Sequence, residues 1–329
     1  MRIIIKRLLT LGIAAFIIGL VAIVPSSITY AEENSGSGLE ISPALVELNA
    51  VKGNIYTVNL SVTNVTNNNL VFNSFVNDFG SKDETGTPNV ILDNTVTPTS
   101  IKTWVSNIPD FNLKAHEKKK LTATITVPSN AAPGGHYGVI RFSGHNDSAA
   151  SSNVDLTASA GTLILLKVDG PVIEKVNLIS FDATKNGKAG ASFETGPITF
   201  VTRFENVGTV HVKPTGQIEV KDFFGNQVAN LPINDAGGNV LPSSIRRFEA
   251  TFDKSWMFGQ YSAQISIGYG TRGGAIVESI SFWVIPYKIL LIGLILLITV
   301  IYILRGLIKR YNRYIIKNSH NGKKKNHKK

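Results

Sequence analysis

The alternation of apolar and polar residues in the middle of this chain constrains its fold more than any other feature. The alternation is clear in three segments: IYTVNLSVTN, KKLTATITVP and YSAQISIGYG. In the first of them, Val58 and Leu60 share one face and Asn59 lies on the other. A period of two with many β-branched residues is typical of strands that bury one face. Turn-forming clusters interrupt the strands at short intervals, which predicts an all-β fold of antiparallel sandwiches.

The first 31 residues have the layout of a secretory signal peptide. Arg2 and Lys6 lie in a basic start, an apolar run follows, and Thr29 and Ala31 place small residues before the expected cleavage point. This order is typical of a signal that is removed, so we predict that residues 1–31 are cleaved off. Because the apolar run is slightly long for a signal peptide, an uncleaved membrane anchor is the alternative.

A second apolar segment, near the other end of the chain, is long enough to cross a membrane. It runs from Ile289 to Leu304 without a charge, and about 20 apolar residues at 1.5 Å each cross the hydrocarbon core. We predict a transmembrane helix over residues 285–304. Residues 305–329 contain ten Lys and Arg and no acid, so the positive-inside rule predicts a cytoplasmic tail and an extracellular body.

The net charge of +10 does not indicate a nucleic-acid-binding protein. Three of the 33 basic residues lie in the signal peptide, one is Lys288 and ten are in the tail. The remaining 19 share the body with all 23 acidic residues, which gives the body a charge of about −4. Nucleic-acid binding requires a basic surface, so no nucleic-acid partner is expected. Attraction to anionic lipid is enough to explain the basic tail.

The chain has no cysteine, so the body depends on the size of its core rather than on disulfides. Its length suffices for two ordinary domains. Gly170 and Pro171 interrupt the strand pattern, and we predict two Ig-like β-sandwich domains, at residues 39–170 and 171–284. The absence of cysteine also excludes thiol nucleophiles and cysteine-bound zinc.

The two predicted domains share short motifs. In each, a strand ends in an asparagine, at Asn64 and Asn206, and a late strand opens with Gly-x-Tyr. The distance from the asparagine to the tyrosine is about 18 residues longer in the first domain. We place this insertion at residues 78–104.

The openings of the two late strands are predicted to be structural. Glycine allows turn conformations that other residues resist, and proline favours turns. A tyrosine at the start of a strand can bury its ring and bond backbone through its hydroxyl, as a corner tyrosine does. The predicted turn residues are Pro133, Gly134, Gly135 and Gly259, and the predicted corner residues are Tyr137 and Tyr261.

Three longer segments resemble the ectodomain of the WxL-interacting protein family of Gram-positive cell-surface proteins. They begin at LEISPALVEL, at FNLKAHEKKK and at FENVGTVHVK, and the last contains the distinctive run N-x-G-x-x-H-x-x-P-x-G at 206–216. The family combines a signal peptide, two Ig-like, PapD-like domains, one membrane helix and a basic tail. The resemblance implies a non-catalytic adaptor whose first domain binds peptidoglycan and whose second domain holds partner surface proteins.

The body shows no local motif for catalysis or for metal binding. Its four histidines are not spaced as metal pairs are, and the strand-turn-helix context of a serine nucleophile is missing. These histidines are His116, His136, His145 and His211. We expect no metal and no cofactor. Two carboxylates about 5–10 Å apart on different strands would be invisible in the sequence. An enzyme of cell-wall glycan processing, or an accessory subunit of one, is therefore the alternative function.

The predicted ligand site lies in the insertion, because inserted loops carry function more often than core strands do. Trp104 follows the insertion and is predicted to be exposed and to stack on a sugar ring. Lys102 and Lys82 are predicted to meet the carboxylates of peptidoglycan stems. A tryptophan in such a fold more often fills a sandwich core, and this role is considered for both Trp104 and Trp256, of which Trp104 is the one expected to be exposed.

Overall fold

Eighteen strands and one helix make up the part of the chain that the computed structural model describes, residues 38–93, 95–146 and 158–325. The predicted signal peptide and its cleavage site lie outside these residues. The strands of the first half are β1 (Leu39–Ser42), β2 (Leu45–Ala50), β3 (Ile55–Asn64), β4 (Leu70–Ser81), β5 (Pro88–Ile91), β6 (Phe111–Leu113), β7 (Lys118–Thr126), β8 (Gly134–Asn146) and β9 (Ala158–Val168).

The second half continues without a change of architecture. Its strands are β10 (Val176–Lys185), β11 (Lys188–Ala189), β12 (Ser192–Phe193), β13 (Ile198–Asn206), β14 (Thr215–Lys221), β15 (Gln227–Ile233), β16 (Ile245–Phe252), β17 (Gly259–Tyr269) and β18 (Gly274–Val284). The helix, α1, follows as Tyr287–Lys325.

The first half is a β-sandwich with one sheet of order β1-β3-β7 and one of order β2-β9-β8-β4-β5, in which β6 also pairs with β4. The inward faces of both sheets form one core. Val58 and Leu60 project into it from β3, as the alternation predicts, and Phe142 and Leu166 meet them from the facing sheet. Burial of one face of each sheet is what holds the two layers together.

The second half repeats this arrangement. Its sheets have the orders β11-β10-β13-β16 and β12-β18-β17-β14-β15. Its core contains Phe200 and Phe204 from one sheet and Ile265 and Phe282 from the other. The prediction of an all-β fold of tandem Ig-like sandwiches is confirmed. Whether each half folds alone as a domain, at the boundaries 39–170 and 171–284, stays a prediction.

The strand orders of the halves match element by element. β3 and β13 lie at the centres of the smaller sheets, and the antiparallel pair β8–β9 corresponds to β17–β18. In both halves a short early strand joins the last strand in parallel, β2 beside β9 and β12 beside β18. The chain is therefore an internal structural repeat, as the shared motifs indicate.

Asn64 and Asn206 are equivalent residues of this repeat. Both are completely buried. The side-chain nitrogen of Asn64 donates to the carbonyls of Asn68 and Lys114, at 2.7 and 2.9 Å. That of Asn206 donates to the carbonyls of Val210 and Val240, at 2.8 Å each. Each asparagine thus fastens the turn that follows its strand to a distant segment of its own half.

The insertion is seen in the number of residues between each asparagine and the distant carbonyl that its side chain contacts. Asn64 also reaches the carbonyl of Leu113, 49 residues away, whereas Asn206 reaches that of Val240, 34 residues away. β5 pairs with the end of β4 as β15 pairs with β14, so the extra chain of the first half lies in the longer segment between β5 and β6. The bounds 78–104 predicted for the insertion stay a prediction.

The helix α1 is long and apolar enough to cross a membrane over Tyr287–Arg313, with a mean hydropathy of 2.6 and exposed side chains. It is the one such helix among the described residues. The predicted span began at residue 285 and ended at 304, whereas the helix begins at Tyr287 and continues to Lys325. The start of the predicted basic tail is therefore helical. Its cytoplasmic side stays a prediction.

Candidate ligand cleft between the two halves

The outer face of the larger sheet of the first half is buried against the second half. Phe79, Tyr137, Val139 and Leu165 form a small apolar cluster there, and Leu241 of the second half packs on it. β8 and β9 are therefore covered on both faces. Strands covered on both faces are continuous apolar runs, and the sequence LILL at residues 163–166 is such a run.

Tyr137 is the centre of this junction. Its hydroxyl accepts a hydrogen bond from the backbone N–H of His211, at 3.0 Å, and the two rings meet edge to face with centroids 5.7 Å apart. Beside it, the N–H of Gly135 donates to the carbonyl of Thr209, at 2.9 Å. Burial raises the pKa of the Tyr137 hydroxyl, so the group stays a neutral donor and acceptor.

The predicted equivalence of Tyr137 and Tyr261 is wrong by one residue. In the β8–β9 ladder Gly134 pairs with Val168, and in the β17–β18 ladder Gly259 pairs with Val284. The two glycines are equivalent, and the residue in the place of Tyr261 is His136. A shift of one residue moves a side chain to the other face of a sheet.

The consequence is seen in what each side chain contacts. Tyr261 stacks on Phe282 inside the second core. His136 faces the first core, where its ring lies 4.5 Å from that of Trp104 and its Nε2 is 2.9 Å from the carbonyl of Ala132. Tyr137 points outward and holds the two halves together.

Two of the three predicted turn glycines, Gly134 and Gly135, lie where close approaches leave no room for a side chain. Gly134 has φ +124°, and a Cβ on it would lie 2.8 Å from the carbonyl oxygen of Thr209. A Cβ on Gly135 would collide with the hydroxyl of Tyr137, and Pro133 packs against Gly170. Gly259 has φ +99° with open space around it. In the first half, the turn is shaped by the junction.

Ion pairs extend the junction on both sides of the apolar cluster. Glu84, at the tip of the β4–β5 hairpin, forms a bidentate pair with Arg203 of the second half. Glu47 of β2 accepts from Lys213 and from the side chain of Asn239, at 2.7 Å each. The hydrogen bond from Arg203 holds the pKa of Glu84 below its usual value. The β4–β5 hairpin therefore contacts the second half.

A cleft of about 330 Å³ opens between the halves next to these contacts. Its walls are largely apolar, and they come from β4, β5 and β9 on one side and from the β15–β16 loop on the other. The apolar lining residues are Leu45, Phe79, Pro88, Leu163, Leu165 and Leu241. A concave apolar space with a few polar groups is the usual form of a ligand site.

One cation lines this cleft, the guanidinium of Arg246 at the start of β16. It is partly buried, lies over the ring of Phe248, and donates from one terminal nitrogen to the carbonyl of Asn239 at 2.7 Å. Its Nε is buried and has no hydrogen-bond partner. A buried donor without a partner costs free energy, and the charge of the guanidinium that lines the cleft is complementary to a ligand with an anionic acceptor.

The glycines around Arg246 make room for its side chain. A Cβ on Gly86 or on Gly238 would lie within 2.7 Å of the guanidinium, so neither position has space for a larger residue in this arrangement. Burial lowers the pKa of Arg246, but an arginine remains charged at neutral pH. Arg246 was not among the predicted site residues. The pair Arg246-Arg247 at the start of a strand is the one feature of the sequence that could have indicated it.

The residues predicted to contact ligand are not gathered in one place. Lys102 is partly buried, and its ammonium donates to the carbonyls of Asp93 and Thr95, at 3.1 and 2.8 Å. It therefore holds the inserted loop together. Lys82 is exposed in the β4–β5 hairpin. Their proposed contacts with stem carboxylates stay predictions.

The exposure predicted for the two tryptophans is wrong. Trp104 packs against the first core and is partly buried, whereas Trp256 is 71% exposed. The backbone of Trp104 also bonds to that of Thr126, at 2.8 Å, so the loop end is tied to β7. A flat sugar-stacking surface at Trp104 is therefore not available in this structure, and the core role considered for Trp256 is excluded.

No group of three or more His, Asp or Glu that could hold a metal occurs in the part of the chain that the structure describes. The histidines of the body lie apart. His211 is at the junction and His136 faces the first core, while His116 contacts Asn67 at 2.9 Å. The acidic residues beside the cleft already pair with Arg203, Lys213 and Asn239.

No protein-family model matches this chain. No curated protein matches it either. Among solved structures it is similar to the class 5 fimbriae chaperone CfaA, with 11% identity and a TM-score of 0.38 over 73% of this chain and 98% of that one. It is also similar to the YadV chaperone, with 13% identity and a TM-score of 0.36 over 74% and 100% of the two chains.

A third similar structure is the E. coli chaperone DraB, with 12% identity and a TM-score of 0.34, covering 75% of this chain and 96% of that one. The fold assignment rests on the strand order of the chain itself. The resemblance to the WxL-interacting protein family stays a prediction.

Proposed function

We propose that this protein is a non-catalytic, membrane-anchored adaptor of the cell surface. Helix α1 anchors it, the two sandwiches stand outside the membrane, and the cleft between them binds a ligand of the cell wall. The observation that carries this proposal is the guanidinium of Arg246, the one charged group among the described residues that line a largely apolar cleft. Such a site selects a carboxylate that has an apolar group beside it.

Peptidoglycan supplies that combination, because its peptide stems present carboxylates next to small side chains. The cleft takes over the role that the sequence assigned to Trp104, Lys102 and Lys82. Glu47 and Glu84 at the rim are neutralised by their partners, so they do not repel an anionic ligand. The second half, which contributes Arg246 and Leu241, is then part of the binding site, and surface proteins are further partners proposed for it.

The test is a sedimentation assay with insoluble peptidoglycan and the full-length protein in mild detergent. We expect Arg246→Gln to bind about tenfold more weakly, since a charge-assisted hydrogen bond is worth about 1.5–3 kcal/mol. Arg247→Gln is the matched control, because Arg247 is exposed and its side chain pairs with Glu249 on its own strand. Equal binding of the two variants would exclude the cleft. Absence of wild-type pelleting would exclude peptidoglycan and leave surface proteins as the partners.

Anchorage and orientation have their own test. A membrane-impermeant amine reagent applied to intact cells should label the body and spare the lysines of the predicted tail, residues 305–329. Labelling of tail lysines from outside would contradict the orientation.

A further inference from the structure

Four large aromatic side chains are exposed on two loops of the second half. Phe223 and Phe224, in the turn between β14 and β15, are 68% and 83% exposed, and Trp256 and Phe258, before β17, are 71% and 68% exposed. Single exposed apolar residues are common on soluble proteins, but a group of large ones marks an interaction surface. We call these four residues the aromatic end.

The strand pairing places both loops at the end of the sandwich from which α1 leaves. β14 ends at Lys221, which pairs with Ser262 near the start of β17. β17 begins at Gly259, which pairs with Val284, and the helix starts three residues later.

Trp256 lies against the beginning of the helix. It lines a small cavity of about 250 Å³ together with Pro286 and Ile289. On the same side, the N–H of Trp283 donates to the carbonyl of Ala191 at 2.8 Å, and Lys288 pairs with Glu194 at 2.7 Å. These contacts hold the start of the helix in place, and Trp256 of the aromatic end lies beside its first turn. The opposite end of the second half, with Thr209 and His211, is occupied by the first half.

We propose that the aromatic end is a membrane-docking surface, on which the second sandwich rests on the lipid interface around α1. Its partner is the headgroup region of the bilayer. Tryptophan and tyrosine favour this layer because their rings are apolar and can carry a polar group, and phenylalanine also inserts at its boundary with the acyl chains. The surface is continuous with the helix, which the proposed function places across the membrane. Insertion of the aromatic end then fixes the height and tilt of the body.

The experiment uses the full-length protein in vesicles of phosphatidylcholine and phosphatidylglycerol that contain a brominated phosphatidylcholine. Trp104→Phe and Trp283→Phe leave Trp256 as the single fluorescent reporter. We expect Trp256 emission to be shifted to the blue, quenched by the brominated lipid and protected from aqueous acrylamide. A second reporter, Phe224→Trp with all native tryptophans changed to Phe, should behave likewise, although it lies away from the helix start.

The matched control places the single tryptophan at Leu92, which is 68% exposed and lies in the first half. Acrylamide should quench this reporter, and brominated lipid should not. The double variant Phe223→Asp/Phe224→Asp removes only exposed rings, and it should increase acrylamide quenching of Trp256 while leaving the thermal unfolding midpoint in place.

Two failures are distinguishable. Protein that does not float with the vesicles overturns the anchorage in the proposed function and this inference with it. Protein that floats, but in which the reporter at residue 224 is quenched by acrylamide as readily as that at residue 92, leaves the anchorage intact and overturns the docking surface alone.

Discussion

The hydroxyl oxygen of Tyr137, in the first half, lies 3.0 Å from the backbone nitrogen of His211, in the second half, and accepts its hydrogen bond. Tyr137 is buried and His211 is partly buried, so little water competes for the bond. This hydrogen bond joins the two repeats directly. It also places a titratable ring at the point where they meet.

Loss of the Tyr137 hydroxyl should loosen the junction. We expect Tyr137→Phe to lower the free energy of unfolding by about 1 kcal/mol, and more if the His211 N–H stays buried without a partner. Tyr137→Ala should cost about 3 kcal/mol or more. Denaturant unfolding measures both changes, and limited proteolysis near Gly170 should be faster in both variants. Tyr261→Phe, inside the second core, is the control that should not expose this connection.

Acidification should weaken the protein through His211. Burial lowers the pKa of this ring to about 4, against about 6.5 in an unfolded chain, with Glu47 and Glu174 acting in the opposite direction. The unfolded chain therefore takes up the proton first, and stability falls as the pH drops from about 6.5 towards 4.

The comparison that isolates this effect is with His211→Gln, which keeps the backbone bond to Tyr137 and does not titrate. Between pH 7 and 4 the wild type should lose on the order of 3 kcal/mol more than the variant, which corresponds to the shift of the pKa. Thermal unfolding at a series of pH values measures the difference. Parallel curves for the two proteins would show that His211 is not buried in the neutral form.

The two equivalent asparagines should be equally intolerant of change. Asn64→Ala and Asn206→Ala each remove several side-chain hydrogen bonds to backbone groups, including the bond from the N–H of Thr66 or of Gly208, so we expect a cost of about 2–4 kcal/mol in either half. Asn59→Ala is the matched control, because Asn59 is exposed and accepts one hydrogen bond, from Thr122. It should change the free energy of unfolding by less than about 0.5 kcal/mol. A similar cost at Asn59 would contradict the argument from burial.

The two strand-opening glycines should differ in cost although they are equivalent in the repeat. Gly259→Ala meets only backbone strain, about 1–3 kcal/mol for a residue held at a positive φ. Gly134→Ala meets the same strain and in addition the carbonyl of Thr209. The unfolding midpoint should therefore fall further for Gly134→Ala. Equal midpoints would mean that the backbone at Thr209 moves to make room for the added methyl group.

Much of the fold can be predicted from the sequence because one face of each strand is buried. Val58 and Leu60 are 4% and 2% exposed, while Asn59 between them faces solvent. The repeat is legible too, since Asn64 and Asn206 end equivalent strands. These features depend on neighbours within a few residues or on a period of two, and both are visible in a linear chain.

The junction between the two halves could not be predicted in the same way, because it depends on what covers the outer face of a sheet. Alternation assigns Tyr137 and His136 to opposite faces, but it does not say that the second half lies on one of them. The error of one residue between Tyr137 and Tyr261 arose because the Gly-x-Tyr motifs were aligned by sequence. The strand pairing instead makes Gly134 equivalent to Gly259. Arg246 was missed for the same reason, since its cleft forms only when the halves are joined.

The exposure of the tryptophans shows a similar limit. Trp104 follows a long insertion, a position at which an exposed loop is expected. In the structure its side chain packs against the first core instead. Trp256 lies in a short loop next to the helix start, where a soluble sandwich would have no reason to expose it. In the proposed docking its environment is set by the bilayer, which the alternation of residues does not encode.

The unequal spans closed by Asn64 and Asn206 show where this architecture tolerates growth. The entropy lost in closing a chain segment rises only with the logarithm of its length, so 49 residues in place of 34 cost about 0.3 kcal/mol more. New sequence can therefore accumulate between these anchoring points with almost no thermodynamic penalty. Glu84 lies in the segment between Asn64 and Leu113, and it pairs with Arg203 of the other repeat. The segment that can lengthen most freely over evolution is therefore also one through which the first repeat contacts the second.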